Sequence, residues 1–274
     1  MKQYAGRQGS IPIRLFLENL GRRTIDAIEE LGYIFSLFVE SIYWIIQGKK
    51  QSQPVSVPTI FREIAMTGVY AVPIVSLLCF SVGMMSAIQG IETLKVFGAE
   101  SQVIVGIALA ITREFSPLIV GIIVAGRSGS AITARLGTMQ ESQEIDALRV
   151  IGISPVRYLA APLLIAMLVA VPALTILGDL MGLVGGGIYT SITLDMSMNV
   201  YMNRCLDILA VDDVRQGLIK SIVFATIIVL VGLSNGFQVR GGAEGVGKAT
   251  TRSVVMSISC IVFADMIFTY FLNR

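Results

Sequence analysis

IAMTGVYAVPIVSLLCFSVGMMSAIQGI, residues 64–91, contains no charged residue, and Glu63 and Glu92 close it at either end. A hydrocarbon core about 30 Å thick is crossed by a helix of roughly 20 apolar residues. This stretch is therefore long enough to span a bilayer. Four further runs have the same character. Ser101–Gly126 is broken only by Arg113-Glu114. The run after Arg157 stays uncharged to Asp179 and continues, rich in glycine, to Leu194. Ser221–Val239 and Ser253–Asn273 follow, the last interrupted only by Asp265. The pattern predicts an all-α integral membrane protein with five spans, near residues 64–91, 101–126, 158–190, 218–239 and 251–272.

Composition agrees. Of the 274 residues 54% are apolar and only 15% charged, against about 25% charged in soluble proteins. A net charge of +2 gives no reason to expect a nucleic-acid partner. Histidine is absent, which removes the commonest metal ligand and general base. Cys79, Cys205 and Cys260 lie far apart without metal-ligand spacing and read as packing residues. No catalytic or metal site is expected, and Met1–Ser10 does not read as a cleavable signal.

The N-terminal part differs. Tyr33–Gly48 is apolar but short and carries Glu40 in its middle. Leu20–Leu31 before it mixes apolar and charged residues at helical spacing. Tyr43 and Trp44 lie near its end, with Lys49 and Lys50 beyond. Such a helix suits the interface rather than a crossing. Residues 1–56 are therefore read as a cytoplasmic or interfacial appendage and 57–274 as one five-span domain. With the N-terminus inside, segments 1–63, 127–157 and 240–252 hold fifteen of the 21 basic residues. This bias predicts a cytoplasmic N-terminus and an outer C-terminus.

The longest inner connection is GRSGSAITARLGTMQESQEIDALRVIGISPVRYLAAP, residues 126–162. Within it Ile145, Leu148 and Ile151 form an apolar stripe, and Gly152 and Pro155 end the helical pattern, giving a short helix near 139–152. It suits either insertion into a groove on a cytoplasmic partner or packing on its own membrane domain. Asp146-Ala147-Leu148, three residues and Gly152 resemble the Glu-Ala-Ala-x-x-x-Gly loop by which importer permeases of the ATP-binding-cassette class dock on their ATPases. The longer segment AGRSGSAITARLGTMQESQEIDALRVIGISPVRYLAAP resembles the MlaE/YrbE permease family of Mce-type lipid transporters. REFSPLIVGIIVAGR (113–127), GLIKSIVFA (217–225) and GGAEGVGKATTRSVV (241–255) extend the resemblance from about residue 55 onward. Arg135 departs from the family pattern, which usually has an acidic residue before Leu-Gly-Thr-Met.

The resemblance implies a homodimeric ABC permease in the bacterial inner membrane, with an interfacial elbow helix and five spans per copy. It implies a partner ATPase that carries the ATP and Mg, so this chain binds no cofactor. Further implied partners are Mce-domain substrate-binding proteins, with a small STAS-type accessory protein alongside, and phospholipid is the implied cargo. Glu141, Glu144, Asp146, Leu148, Arg149 and Gly152 become the residues that couple to the ATPase.

Ionisable groups at bilayer depth cost about 2.5–3.5 kcal/mol each on insertion scales. Four stand out as candidates for the lipid path: Arg113, Glu114, Lys220 and Asp265. Arg113 suits a lipid phosphate, or else an ion pair between helices, with Asp265 as one partner. Pro117, four residues on, would loosen the helix near Arg113. Lys220 reads either as a snorkelling side chain at the start of span four or as a headgroup attractor. Asp265 pairs with Arg113 or Lys220, or joins a polar seam between copies. The expected cavity lies between two copies, lined by spans one, two and five.

GGAEGVGK (241–248) has the spacing of a phosphate-binding loop, but Ala249 stands at the hydroxyl position and a membrane span precedes it. It reads as a turn. Two other functions stay open on the residues alone. One is a secondary transporter driven by an ion gradient, with Arg113, Glu114 and Asp265 as relay. The other is a lipid-modifying enzyme, for which the spans offer no catalytic constellation.

Overall fold

The structure is a computed structural model, and it describes residues 11–48 and 55–272. The described residues are mostly helical and contain no strand. In chain order the α-helices are α1 (Ile11–Gln47), α2 (Val57–Thr67), α3 (Val72–Lys95), α4 (Val103–Ala110), α5 (Ser116–Val124), α6 (Ser130–Glu141), α7 (Glu144–Val150), α8 (Ala161–Thr193), α9 (Met198–Ile208), α10 (Val211–Phe237) and α11 (Gly242–Leu272). Short 3₁₀ and π turns join several of them, so five continuous rods are long and apolar enough to cross a membrane. They cover Val57–Lys95, Glu100–Glu141, Val156–Thr193, Val211–Phe237 and Gly242–Leu272.

Lipid gives little hydrophobic drive to bring helices together, so membrane bundles rely on close backbone contact and polar links. Spans one and three show the first device. A Cβ placed on Gly83 would lie 1.9 Å from the Gly182 carbonyl oxygen, and one on Gly185 would lie 2.1 Å from that of Phe80. Only glycine permits α3 and α8 to touch there. Thr133 shows the second device. Its hydroxyl lies 2.8 Å from the Ser253 hydroxyl and 3.2 Å from the Gly232 carbonyl oxygen, which ties α6 to α11 and α10. The main core gathers Val75, Val120, Leu164, Phe224 and Ile228, and a second one around Ile104, Ile107 and Leu183 encloses Tyr201 and Cys205 of α9.

Helix α1 is longer than the apolar stretch predicts and is not among the five crossing rods. Lys49 and Lys50, expected as its basic flank, lie outside the described residues. Polar contacts clasp α1 to the bundle. Glu40 accepts from Ser154 at 3.2 Å and from the Trp44 indole at 3.4 Å. The Arg157 guanidinium sits 5.6 Å from the Trp44 ring centroid, a cation–π distance. Glu30 pairs with Arg252 at 2.6 Å. Burial pushes the Tyr33 phenol above its ordinary value, with nearby Arg149 opposing.

Span one bends between α2 and α3. Pro73 has no N–H to donate, and a 3₁₀ turn at Val69–Ala71 replaces the regular ladder. Span two widens twice into π turns, at Ile111–Phe115 and Ala125–Gly129. Pro117 explains the first, because its ring would clash with the Arg113 carbonyl in a regular helix.

Candidate functional site

The first π turn carries Arg113 and Glu114, and both meet α10. Arg113 donates from Nε to Asp213 Oδ1 at 2.7 Å and pairs through Nη2 at 2.5 Å. Asp213 also caps α10 by accepting the Ala210 N–H at 2.8 Å. Glu114 accepts from Lys220 Nζ at 2.5 Å. Asp213 and Lys220 stand seven residues apart, two turns along one face of α10. In a regular helix consecutive residues diverge by about 100°. The wider π turn lets both reach that face.

Lys220 is the hub. Its ammonium meets Glu114, Asp265 Oδ1 at 2.9 Å and the Thr269 hydroxyl at 3.1 Å. Thr269 in turn donates to Glu114 at 3.0 Å. The Lys220 side chain is 1% exposed, so of its two readings, snorkelling side chain or headgroup attractor, the first does not describe it. Two carboxylates satisfy the ammonium where it stands, and nothing draws it to the interface. Asp265 takes Lys220 rather than Arg113 as its partner. The cluster thus links span two, α10 and α11, about 10–14 Å inside the end of the bundle where α10 begins.

Exposure divides the cluster. Asp213 and Lys220 are buried, whereas the Arg113 and Glu114 side chains remain 32% and 29% exposed. One cation and one anion, adjacent in the chain, are therefore accessible. An apolar groove of about 730 Å³ lies between α3 and α4 and reaches Phe115, although neither Arg113 nor Glu114 lines it. Met85, Ile88, Leu94 and Gly106 line it, and Phe115 belongs to its wall next to Glu114.

The connection at the opposite end departs from the expected single helix over 139–152. Glu141 closes α6, a turn with Gln143 in the left-handed region (φ 61°) intervenes, and only Glu144–Val150 forms α7. Glu144, Asp146 and Arg149 are exposed, with Asp146 and Arg149 paired at 3.1 Å. Gly152, at φ 79°, ends α7 by donating its N–H to Arg149 while Ile153 donates to Leu148, the paired bonds of a Schellman motif. The expected apolar stripe splits. Ile145 is buried against its own chain, Leu148 is half-buried, and Ile151 is 68% exposed. Val150, not singled out from the sequence, is 87% exposed beside it.

Sequence reasoning also missed Asp213, Thr269 and Glu63. The signal for Asp213 was an acidic residue in the first turn of a span, where helix termini favour negative charge. Glu63 pairs with Arg135 at 2.8 Å, which gives the unusual arginine a partner. Among the described residues no cluster of histidine, cysteine and carboxylate ligands suits a metal.

Five crossing rods with ion pairs buried between them define a polytopic helical membrane protein. A family model described as Permease MlaE matches residues 60–271, and the chain belongs to this family. Among its relatives is a probable ABC transporter permease of Rickettsia prowazekii, 33% identical over 250 residues, covering 91% of this chain and 95% of that one. The intermembrane phospholipid transport system permease protein MlaE of Haemophilus influenzae is 30% identical over 259 residues, covering 93% and 96%. The chloroplastic protein TRIGALACTOSYLDIACYLGLYCEROL 1 of Arabidopsis thaliana is 37% identical over 210 residues, covering 77% and 60%.

Proposed function

We propose that this chain is the membrane subunit of an ATP-driven transporter that moves phospholipid between the bacterial inner membrane and an Mce-type partner. The observation that carries the reading is the accessibility of Arg113 and Glu114, which are followed in the chain by Phe115 in the wall of the apolar groove between α3 and α4. A zwitterionic phospholipid presents a phosphate, an ammonium and acyl chains. Arg113 offers the phosphate a charge-assisted donor, Glu114 accepts from the ammonium, and the groove takes an acyl chain. Lys220 and Asp265 serve by fixing Glu114 rather than by touching lipid. The relatives named as ABC permeases and as a phospholipid transport permease support the cargo and the separate ATPase.

In this reading two copies pair through faces that the single chain leaves apolar and exposed, including Val262, Phe263 and Met266 of α11 and Leu77 and Met85 of α3. The loop helix α7 lies on the cytoplasmic side, where Val150 and Ile151 enter the ATPase and Glu144, Asp146 and Arg149 border the contact. Gly106 provides a test, because a Cβ added there meets nothing within 4 Å. Gly106→Leu would fill the groove without disturbing the fold. Bound phospholipid and transport are expected to fall about tenfold or more, the worth of displacing several buried methylenes. Unchanged occupancy and transport in this variant and in Arg113→Gln would remove the groove from the lipid path.

A further inference from the structure

A second pocket, of about 360 Å³, opens between α2 and α6 at the other end of span two. Its volume lies within the range of small-ligand sites. Its walls include Glu63, Met66, Tyr70, Arg127, Ser128 and Arg135. Two guanidiniums thus face one carboxylate. Arg127 donates to the Met66 carbonyl at 3.2 Å. Among the described residues no carboxylate pairs with it. Arg135 reaches Glu63 through Nη1, but its Nε is buried and has no hydrogen-bond partner. An arginine fork carries more N–H donors than these contacts use, and a buried donor left unmade costs about 1–3 kcal/mol. The pocket therefore has net positive charge and unspent donors.

The surroundings say what kind of anion fits. Met66, Val69 and Tyr70 are large apolar side chains on the outside of the bundle, 49%, 60% and 63% exposed. A tyrosine beside a basic pocket near the end of a membrane span is the arrangement of a headgroup layer. Arg113 and Arg127 lie 14 residues apart on one rod, about 21 Å, which with the about 10–14 Å by which the cluster lies inside the bundle comes close to the thickness of the hydrocarbon core. The pocket thus stands near the headgroup level of the leaflet opposite the Lys220 cluster.

From this geometry we infer that Arg127 and Arg135 bind the phosphate of a lipid headgroup in that leaflet, with the acyl chains lying along Met66, Val69 and Tyr70. Glu63 holds Arg135 in place and limits how tightly the anion is held. The site is separate from the groove and requires neither transport nor nucleotide.

The probe is a phosphatidylglycerol bearing a photoactivatable group near the headgroup, added to the full chain in nanodiscs of phosphatidylcholine, with labelled peptides mapped by mass spectrometry. Label is expected within residues 63–70 and 127–135 of the unaltered protein. It should drop about tenfold or more in Arg127→Gln and in Arg135→Gln, the loss of a charge-assisted hydrogen bond. Glu63→Gln is expected to raise labelling, because it frees Arg135 and removes a like charge from the phosphate. A purely structural ion pair would lose labelling there or leave it unchanged, and either result counts against the site. Diacylglycerol with the same acyl chains should not compete, and inorganic phosphate should compete only weakly. Full displacement by inorganic phosphate would assign the pocket to a soluble anion and overturn the lipid. Absence of label from these segments in the unaltered protein would overturn it too. So would a quantitative disulfide between two Tyr70→Cys copies that excluded label, since the face would then be an inter-subunit contact.

Discussion

At the residue scale, Lys220 carries more of this molecule than any other charge. Its ammonium answers two carboxylates on two different rods, and it is almost wholly enclosed. Removing one partner of a buried ion pair leaves the other charges uncompensated, which costs about 3–5 kcal/mol. Lys220→Met is therefore expected to lower the thermal midpoint sharply in detergent. Adding Glu114→Gln and Asp265→Asn should recover most of the loss, because no unpaired charge then remains. Phospholipid binding should not return with it, since Glu114 is one of the two accessible charges. A triple variant as unstable as the single one would show that the cluster is not a charge-balanced unit. The sequence displayed all three residues as bilayer-depth charges and offered Lys220 as one partner for Asp265, but not the pairing of Glu114 with Lys220. Glu114 and Lys220 are 106 residues apart, and no local spacing connects them. A separation of 100 residues likewise hid Asp213 from Arg113.

At the element scale, the uncharged runs made the five rods readable, since the cost of burying charge in lipid leaves few other homes for them. Their internal breaks were harder to see. Pro117 announced a disturbance near Arg113, and a π turn is there. The stop between α6 and α7 gave no such warning, because it rests on Gln143 in a left-handed conformation that ordinary residues rarely adopt. Gly182 and Gly185 belong to the glycine-rich end of span three, and α3 lies against both, with Ile111 of span two also close to Gly182. Gly185→Ala would drive a methyl group into the Phe80 carbonyl. Overpacking of this kind costs typically about 1–3 kcal/mol, and backbone gives way less readily than side chains. The expected result is a loss of monodisperse protein on gel filtration, whereas Gly106→Ala should behave as the unaltered chain. On α7, Val150→Asp and Ile151→Asp change exposed positions and should leave the thermal midpoint nearly unmoved. Copurification of the ATPase is expected to fall about tenfold or more, as for a central apolar contact. Retained ATPase would return α7 to the plainer role of packing on its own membrane domain.

At the scale of the whole molecule, span two connects the two regions argued to matter. It is one helical rod from Glu100 to Glu141, about 63 Å long, or roughly twice the hydrocarbon thickness. Its upper part carries the ion pairs to α10, and its lower part carries Arg127, Arg135 and Thr133 with their own fixed partners. Helical geometry makes such a piece intolerant of changes in length. One alanine inserted after Ile123 would advance everything below it by about 1.5 Å and turn it by about 100°. Either Arg135 would leave Glu63 and Thr133 would leave Ser253, or Arg113 and Glu114 would swing off α10. Monodisperse protein should fall severely with that insertion, while the same residue added to the turn after Ser142 should be absorbed. Between Gly121 and Ser130 the number of residues is therefore held as firmly as the identity of Arg127 or of the buried Val124, Ala125 and Ser128.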